Sequence, residues 1–210
     1  MIIVNFKNYK IGKDVLKLVK LIEKCNKKII VAVPAINLND VVENTHLNVY
    51  AQHIDNYSIG RGTGCTIAEA LKEIGVNGSL INHSEHRIGF SDIKDLIEKC
   101  KKLKLKSIVC AKDLKEIKKV RKLKPYAIAY EDPNLIASGN SIVKYKKGNI
   151  KKFVNILKGS GIVPICGAGI NSKEDILGAY SFGCKGVLIA SAIANAKNPE
   201  KLLKEIKNFK

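Results

Sequence analysis

Three side chains able to move a proton or hold charge each follow a short apolar run. Lys7 comes after Ile2–Val4, His83 after Leu80–Ile81, and Glu131 after Ala127–Ala129. A carboxylate accepts a proton, an imidazole passes one on, and an ammonium holds developing negative charge. Asn5 stands two residues before Lys7, and His83 lies in the segment Asn82-His83-Ser84-Glu85-His86-Arg87. Two turns of small residues, Gly167-Ala168-Gly169 and Ala190-Ser191, close later apolar runs. Such turns let backbone N–H groups approach an anion such as phosphate. Taken singly, each feature has a plainer reading. Glu131 reads as a solvated loop acid, Lys7 as one lysine among many, Gly-Ala-Gly as any tight turn, and His46 and His53 as surface or loop-packing residues. His83 and His86 have the spacing of a metal pair on a helical turn, but no third ligand matches them. The role of these residues depends on whether the chain brings them together.

The elements that position them show in the hydrophobic pattern. Unalternating apolar runs recur at Ile2–Val4, Ile29–Val33, Val49–Ala51, Leu80–Ile81, Ile108–Cys110, Ala127–Ala129, Ile165–Cys166 and Val187–Ala190. Runs of this kind suit strands covered on both faces of a parallel sheet. Between them lie helical stripes, such as Val15, Leu18, Val19 and Ile22, or Ile93, Leu96, Ile97 and Cys100. Asp113 with Glu116, Ser172 with Asp175, and Asn198-Pro199 mark helix starts. Pro164 lacks an N–H for a ladder, so the seventh strand is expected to begin at or after it. No Pro/Gly/Ser-rich linker divides the 210 residues. Eight strands with eight helical segments, at about 26 residues per unit, predict one compact α/β domain over 1–210, an eightfold (β/α) barrel. An open doubly wound sheet would want a glycine-rich turn after its first strand, and Asn5-Phe6-Lys7-Asn8 is not one. In a barrel the strand ends share one mouth, so the cation, imidazole, carboxylate and small-residue turns converge there.

These residues carry a resemblance along almost the whole chain. Asn5-Phe6-Lys7, Ala51-Gln52-His53-Ile54-Asp55-Asn56, Thr63-Gly64, Asn82 to Arg87, Glu131 with the segment after it, and Cys166-Gly167-Ala168-Gly169-Ile170 resemble the triosephosphate isomerase family, in its short archaeal branch. The resemblance implies a TIM barrel that interconverts dihydroxyacetone phosphate and glyceraldehyde 3-phosphate without metal or organic cofactor. It implies Glu131 as the base and His83 as the neutral imidazole that polarises the carbonyl. Lys7 would hold the enediolate and phosphate, with Asn5 a positioning donor. Glu85 would orient Lys7, with Ser84 and Arg87 supporting the segment. Ala137, Gly167, Ala168, Gly169, Ala190 and Ser191 would meet the phosphate. In this chain Asp132 replaces a hinge proline, Ala137 replaces a glycine, and Arg61-Gly62 alters a third loop that packs on a neighbouring subunit in the family. The expected partners are a triose phosphate and a second copy of the chain, as dimer or tetramer. The rival readings are an aldolase on the same barrel, or a non-catalytic basic barrel serving as a scaffold or binding module.

Composition limits the alternatives. Apolar residues make up 46 %, which excludes a disordered chain, and no run of about 18 apolar residues spans a membrane. Six scattered cysteines form no C-x-x-C and suit buried packing in a reducing compartment, so a cytoplasmic location is expected. The net charge of +18 is rich in lysine. Twelve Lys or Arg fall between Lys99 and Lys124, against the two acids Asp113 and Glu116. A lysine excess with only Arg61, Arg87 and Arg121 as arginines reads as a solvated surface, so a nucleic-acid partner is not expected.

Overall fold

The computed structural model describes residues 1–133 and 141–209. Its eight strands are β1 (Ile2–Asn5), β2 (Ile30–Val33), β3 (Asn48–Ala51), β4 (Gly78–Ile81), β5 (Lys106–Ala111), β6 (Ala127–Tyr130), β7 (Val163–Cys166) and β8 (Gly186–Ile189). All pair in parallel, in chain order, and β1 also pairs with β8, which closes the barrel. This is the compact (β/α)8 TIM barrel that the sequence predicts.

The outer layer is α1 (Lys13–Cys25), α2 (Leu38–Asn44), α3 (Ala68–Glu73), α4 (Phe90–Lys102), α5 (Leu114–Arg121), α7 (Lys147–Leu157), α8 (Lys173–Ser181) and α10 (Pro199–Glu205). Two more one-turn helices, α6 (Ile142–Tyr145) and α9 (Ser191–Ala194), sit after β6 and β8, beyond the eight segments expected. Asp113 and Ser172 cap α5 and α8 through their side-chain oxygens, accepting from the N–H groups of Glu116 and Asp175. Pro199 opens α10, but the Asn198 side chain makes no cap hydrogen bond.

Pro164 corrects the sequence reading: it lies inside β7 and pairs with Ile128 of β6. In a parallel ladder a residue's N–H and C=O face the same neighbour. The Pro164 carbonyl accepts from Lys185 N–H at 2.8 Å, so its nitrogen faces β8. Pairing with β8 begins only at Ile165, so no ladder bond is lost.

Two buried layers arise from strand alternation. Ile3, Leu80, Ile108, Ala129, Ile165 and Leu188 fill the barrel interior. Ile2, Val4, Val31, Val109, Ile128 and Val187 pack outward against the helices. Two residues beyond Ile3, Ala129, Ile165 and Leu188, the inward register reaches Asn5, Glu131, Gly167 and Ala190. The core pattern itself therefore aims four site residues at the mouth.

At the other end, Tyr50 plugs the barrel, and burial pushes its phenol well above its ordinary pKa. The plug requires a glycine opposite. A Cβ on Gly78 would lie 2.3 Å from the Lys106 carbonyl oxygen and 2.7 Å from a Tyr50 ring carbon. Gly78→Ala should destabilise the fold by roughly 1–3 kcal/mol through overpacking, read as a lowered urea midpoint; an unchanged midpoint would show that β4 and β5 can part freely.

Candidate active site

Lys7, Asn5, His83, Glu131, Gly167, Gly169, Ala190 and Ser191 line one cavity of about 240 Å³ at the C-terminal mouth of the barrel. The side chains reach it by different routes. Asn5 and Glu131 continue their strands' inward register. At β4 that register would bring Asn82 inward, yet Asn82 takes the left-handed region at φ 62°. Its amide instead donates to the Cys110 carbonyl and accepts from Ile88 N–H, and His83 turns to the mouth. Arg87 locks this segment, donating to the Asn82 carbonyl and pairing with Glu116, which also accepts from Lys112 N–H.

Lys7 sits at φ 44°, a strained conformation for a residue with a Cβ. Three hydrogen bonds hold it there. Its N–H donates to Asn5 Oδ1 at 3.0 Å, Gln52 Nε2 donates to its carbonyl at 3.0 Å, and its Nζ contacts Glu85 Oε1 at 2.6 Å. Gln52 Nε2 also donates to Asn5 Oδ1, so the oxygen of that amide is committed on the side of Lys7. Asn5 Nδ2 consequently faces His83.

His83 is fixed in one tautomer. The Glu85 N–H donates to His83 Nδ1, so Nδ1 carries no proton, the ring is neutral, and Nε2 is the donor. Nε2 stands 3.5 Å from Asn5 Nδ2 and 3.4 Å from Glu131 Oε1. Two donors, Nε2–H and Asn5 Nδ2–H, thus flank one point and cannot satisfy each other; a ligand oxygen can accept from both. Across from them Glu131 is buried, and its Oε2 has no hydrogen-bond partner among the described residues. A buried oxygen without a donor is costly in a finished core and suits one awaiting a proton. Behind it lies the Cys110 thiol, pushed well above its ordinary pKa by burial and then by the Glu131 charge, so it stays protonated.

The two glycine-containing turns serve different ends. Gly167 makes room for Glu131: a Cβ there would lie 2.9 Å from Glu131 Cγ. Gly169 takes φ 64°, which exposes the next N–H groups. Among the described residues, Gly169 and Ile170 N–H donate to no other protein group, and both residues line the cavity. Ala168 is buried beneath the turn and does not line it; its carbonyl accepts from Ile142 N–H. Ser84 also stays off the cavity, with a buried hydroxyl that has no partner among the described residues. Asp132 is buried, with its carboxylate 3.7 Å from Lys146 Nζ. Ala137 lies outside the described residues. His86 stacks on His53, ring centroids 3.8 Å apart, which fastens the His83 segment to the loop after β3. Burial, and then His86, hold the His53 imidazole below its ordinary pKa.

The profile of the triosephosphate isomerase family matches residues 1–206. The chain belongs to the triosephosphate isomerase family. Among its relatives, the triosephosphate isomerase of Methanocaldococcus jannaschii is 40 % identical, over 100 % of this chain and 99 % of that protein. Those of Metallosphaera sedula and Saccharolobus solfataricus are each 39 % identical, over 99 % and 98 % of this chain and 94 % and 93 % of theirs.

Reasoning from sequence missed Tyr9, Asn171 and Leu188, which also line the cavity. It quoted Gln52 and Ile170 only as parts of motifs. Leu188 was readable as the last inward residue of β8, whereas Tyr9 and Asn171 come from loops that carry no period. The contact between Gly167 and Glu131 generates a test. Gly167→Ala should push the carboxylate off its position and lower kcat by roughly tenfold to a hundredfold, with thermal stability little changed. A coupled isomerase assay beside a melting curve checks this; wild-type turnover would show that Glu131 does not depend on the missing Cβ.

Proposed function

We propose that this protein interconverts dihydroxyacetone phosphate and D-glyceraldehyde 3-phosphate, with Glu131, His83, Lys7 and Asn5 performing the proton transfer. The observation that carries this reading is the pair of inward donors, His83 Nε2 and Asn5 Nδ2, beside the buried carboxylate of Glu131, whose Oε2 has no partner among the described residues. A substrate carbonyl oxygen accepts from the two donors. Glu131 takes a proton from the adjacent carbon, and the electron pair left behind forms an enediolate. Negative charge grows on an oxygen already met by preorganised donors, with the Lys7 ammonium adjacent. Neutral His83 passes a proton between the two substrate oxygens. Glu131 then returns a proton to the neighbouring carbon, and the net change is isomerisation.

The phosphate fits at the opposite side of the cavity, against the Gly169 and Ile170 N–H groups and Ser191. Glu85 orients Lys7 by its contact at 2.6 Å, and Arg87 holds the segment that carries His83. Strained Lys7 supports the same assignment, because strain of about 1–3 kcal/mol persists only where surrounding bonds enforce it. An aldolase using a Schiff base commonly places its lysine near the end of β6, where this chain has Glu131. A scaffold role leaves the donor pair and the open carboxylate without purpose.

The reading extends to a homo-oligomer, dimer or tetramer, of one-domain chains spanning 1–210 in the cytoplasm. Support for assembly comes from the loop after β3. It exposes Tyr57 and Ile59, yet it is braced by Lys99, which donates to the Tyr57 carbonyl, and by Asn56, which donates to Asp92 and Asp95. An apolar tip held rigid suits docking on another copy. Six unpaired cysteines suit a reducing compartment. No helix among the described residues is long and apolar enough to cross a membrane.

Shortening the base tests the mechanism. Glu131→Asp keeps the charge and withdraws it by one methylene. We expect kcat to fall roughly a hundredfold while KM and inhibition by inorganic phosphate change little. Near-normal turnover would remove Glu131 from this role.

A further inference from the structure

The excess positive charge is not spread evenly over the barrel. At the mouth, the connections from each strand to the next helix carry five basic residues, Lys7, Lys10, Arg61, Arg87 and Lys112, and five acids, Asp55, Glu85, Asp113, Glu131 and Asp132. The opposite end differs. Among the described residues, the seven connections from a helix to the next strand, with residues 206–209 after α10, contain eight lysines and no acid. Lys27 and Lys28 follow α1, Lys104 follows α4, and Lys122 and Lys124 follow α5. Lys158, Lys185 and Lys207 follow α7, α8 and α10.

All eight are exposed, and none joins an ion pair among the described residues. They form one arc, because the barrel order makes the turns before β5, β6, β7, β8 and β2 neighbours around the rim, with the chain end between the last two. Lys101 Nζ donates to the Leu123 carbonyl, which links the α4 and α5 ends, and Asn26 donates to the Ile206 and Phe209 carbonyls, which sets the chain end beside Lys27. The turns before β3 and β4 carry no Lys, Arg, Asp or Glu and leave the arc open there.

We propose that this lysine arc binds the phosphate backbone of double-stranded nucleic acid without reading its sequence, on the face opposite the active site. Unpaired like charges gathered on one surface raise its potential and attract a polyanion. The turns hold no arginine to make paired contacts with base edges. They also hold none of the exposed large apolar side chains, which lie elsewhere, at Tyr9, Ile11, Ile36, Tyr57, Ile59, Phe90, Tyr145 and Leu177. The three aromatics of these turns, Tyr126, Phe182 and Phe209, are half-buried and already met by Lys106, Lys151 and Tyr180, so the arc offers no free ring to stack on unpaired bases and no exposed apolar anchor to insert into a lipid surface. Backbone phosphates of a duplex are the chemistry that remains. This sets aside the expectation, drawn from lysine content alone, of a merely solvated face. It stands whether or not the proton-transfer assignments hold.

The test measures binding of the full chain to short DNA duplexes of two unrelated sequences, across roughly 50–200 mM salt. We expect equal affinity for both, falling steeply with salt, and a kcat/KM unaffected by bound duplex. The triple variant Lys122→Glu, Lys158→Glu, Lys185→Glu should bind at least tenfold more weakly and flatten the log–log salt slope by about three. A control with the same charge change elsewhere, Lys115→Glu, Lys118→Glu, Lys147→Glu, should lose much less. Both triples should keep wild-type isomerase activity, which certifies their folding. Absence of binding at low salt overturns the proposal, as do equal losses in both triples or tighter binding to single strands or to phosphatidylserine vesicles.

Discussion

Because β1 pairs with β8 as well as with β2, the sheet has no edge, and because every pairing is parallel, all eight strands point the same way around one axis. That closure dictates where both the site and the surface charge lie. It gathers every strand's C-terminal end at a single rim. It also lets interior alternation run on past the strands, so the residue two beyond the last inward apolar side chain enters the mouth. Asn5, Glu131, Gly167 and Ala190 reach the site this way, without any device of their own. The same closure sends every helix-to-strand turn to the opposite rim, which is how lysines far apart in sequence come to share one face.

Where alternation alone would misplace a residue, the backbone bends and a polar network holds the bend. Lys7 and Asn82 both take positive φ, and both are held from several sides, Lys7 by Asn5 and Gln52, Asn82 by its own amide and Arg87. The Asn5 amide joins strain to chemistry. Its oxygen holds Lys7 in the strained conformation, and for that reason its nitrogen is left to face His83 and the cavity. Glu131 is the counterpart: a buried carboxylate oxygen left without a donor among the described residues, facing the cavity.

Strand positions, barrel closure and the gathering of Lys7, His83 and Glu131 at one mouth were legible because they rest on local periodicity and on topology. Short runs of consecutive apolar residues, as at Val31 or Val109, suit a strand covered on both faces, and that pattern survives without tertiary detail. Pro164 was misread because the rule that excludes proline from a ladder depends on where pairing with the neighbouring strand begins, and pairing with β8 begins at Ile165, one residue after Pro164. Gln52 escaped a role because its side chain acts on Lys7 and Asn5, distant in sequence, through three acceptors that only the fold brings together. Ala168 was expected to line the phosphate turn, yet the left-handed step at Gly169 buries it and presents the following amides instead. The polarity of charge was hidden for a similar reason: clusters along the chain pointed to helices, while the imbalance lies in turns that are scattered in sequence.

The central claim is that a carboxylate at position 131 removes and returns a substrate carbon proton. Isomerisation of dihydroxyacetone phosphate in D2O, followed by proton NMR, tests it most directly. The account predicts that product from the wild-type protein carries solvent deuterium at the carbon next to the carbonyl. It predicts that Glu131→Gln loses this exchange while still binding inorganic phosphate. Isomerisation that leaves the carbon free of deuterium, or exchange at the wild-type rate in Glu131→Gln, would contradict it.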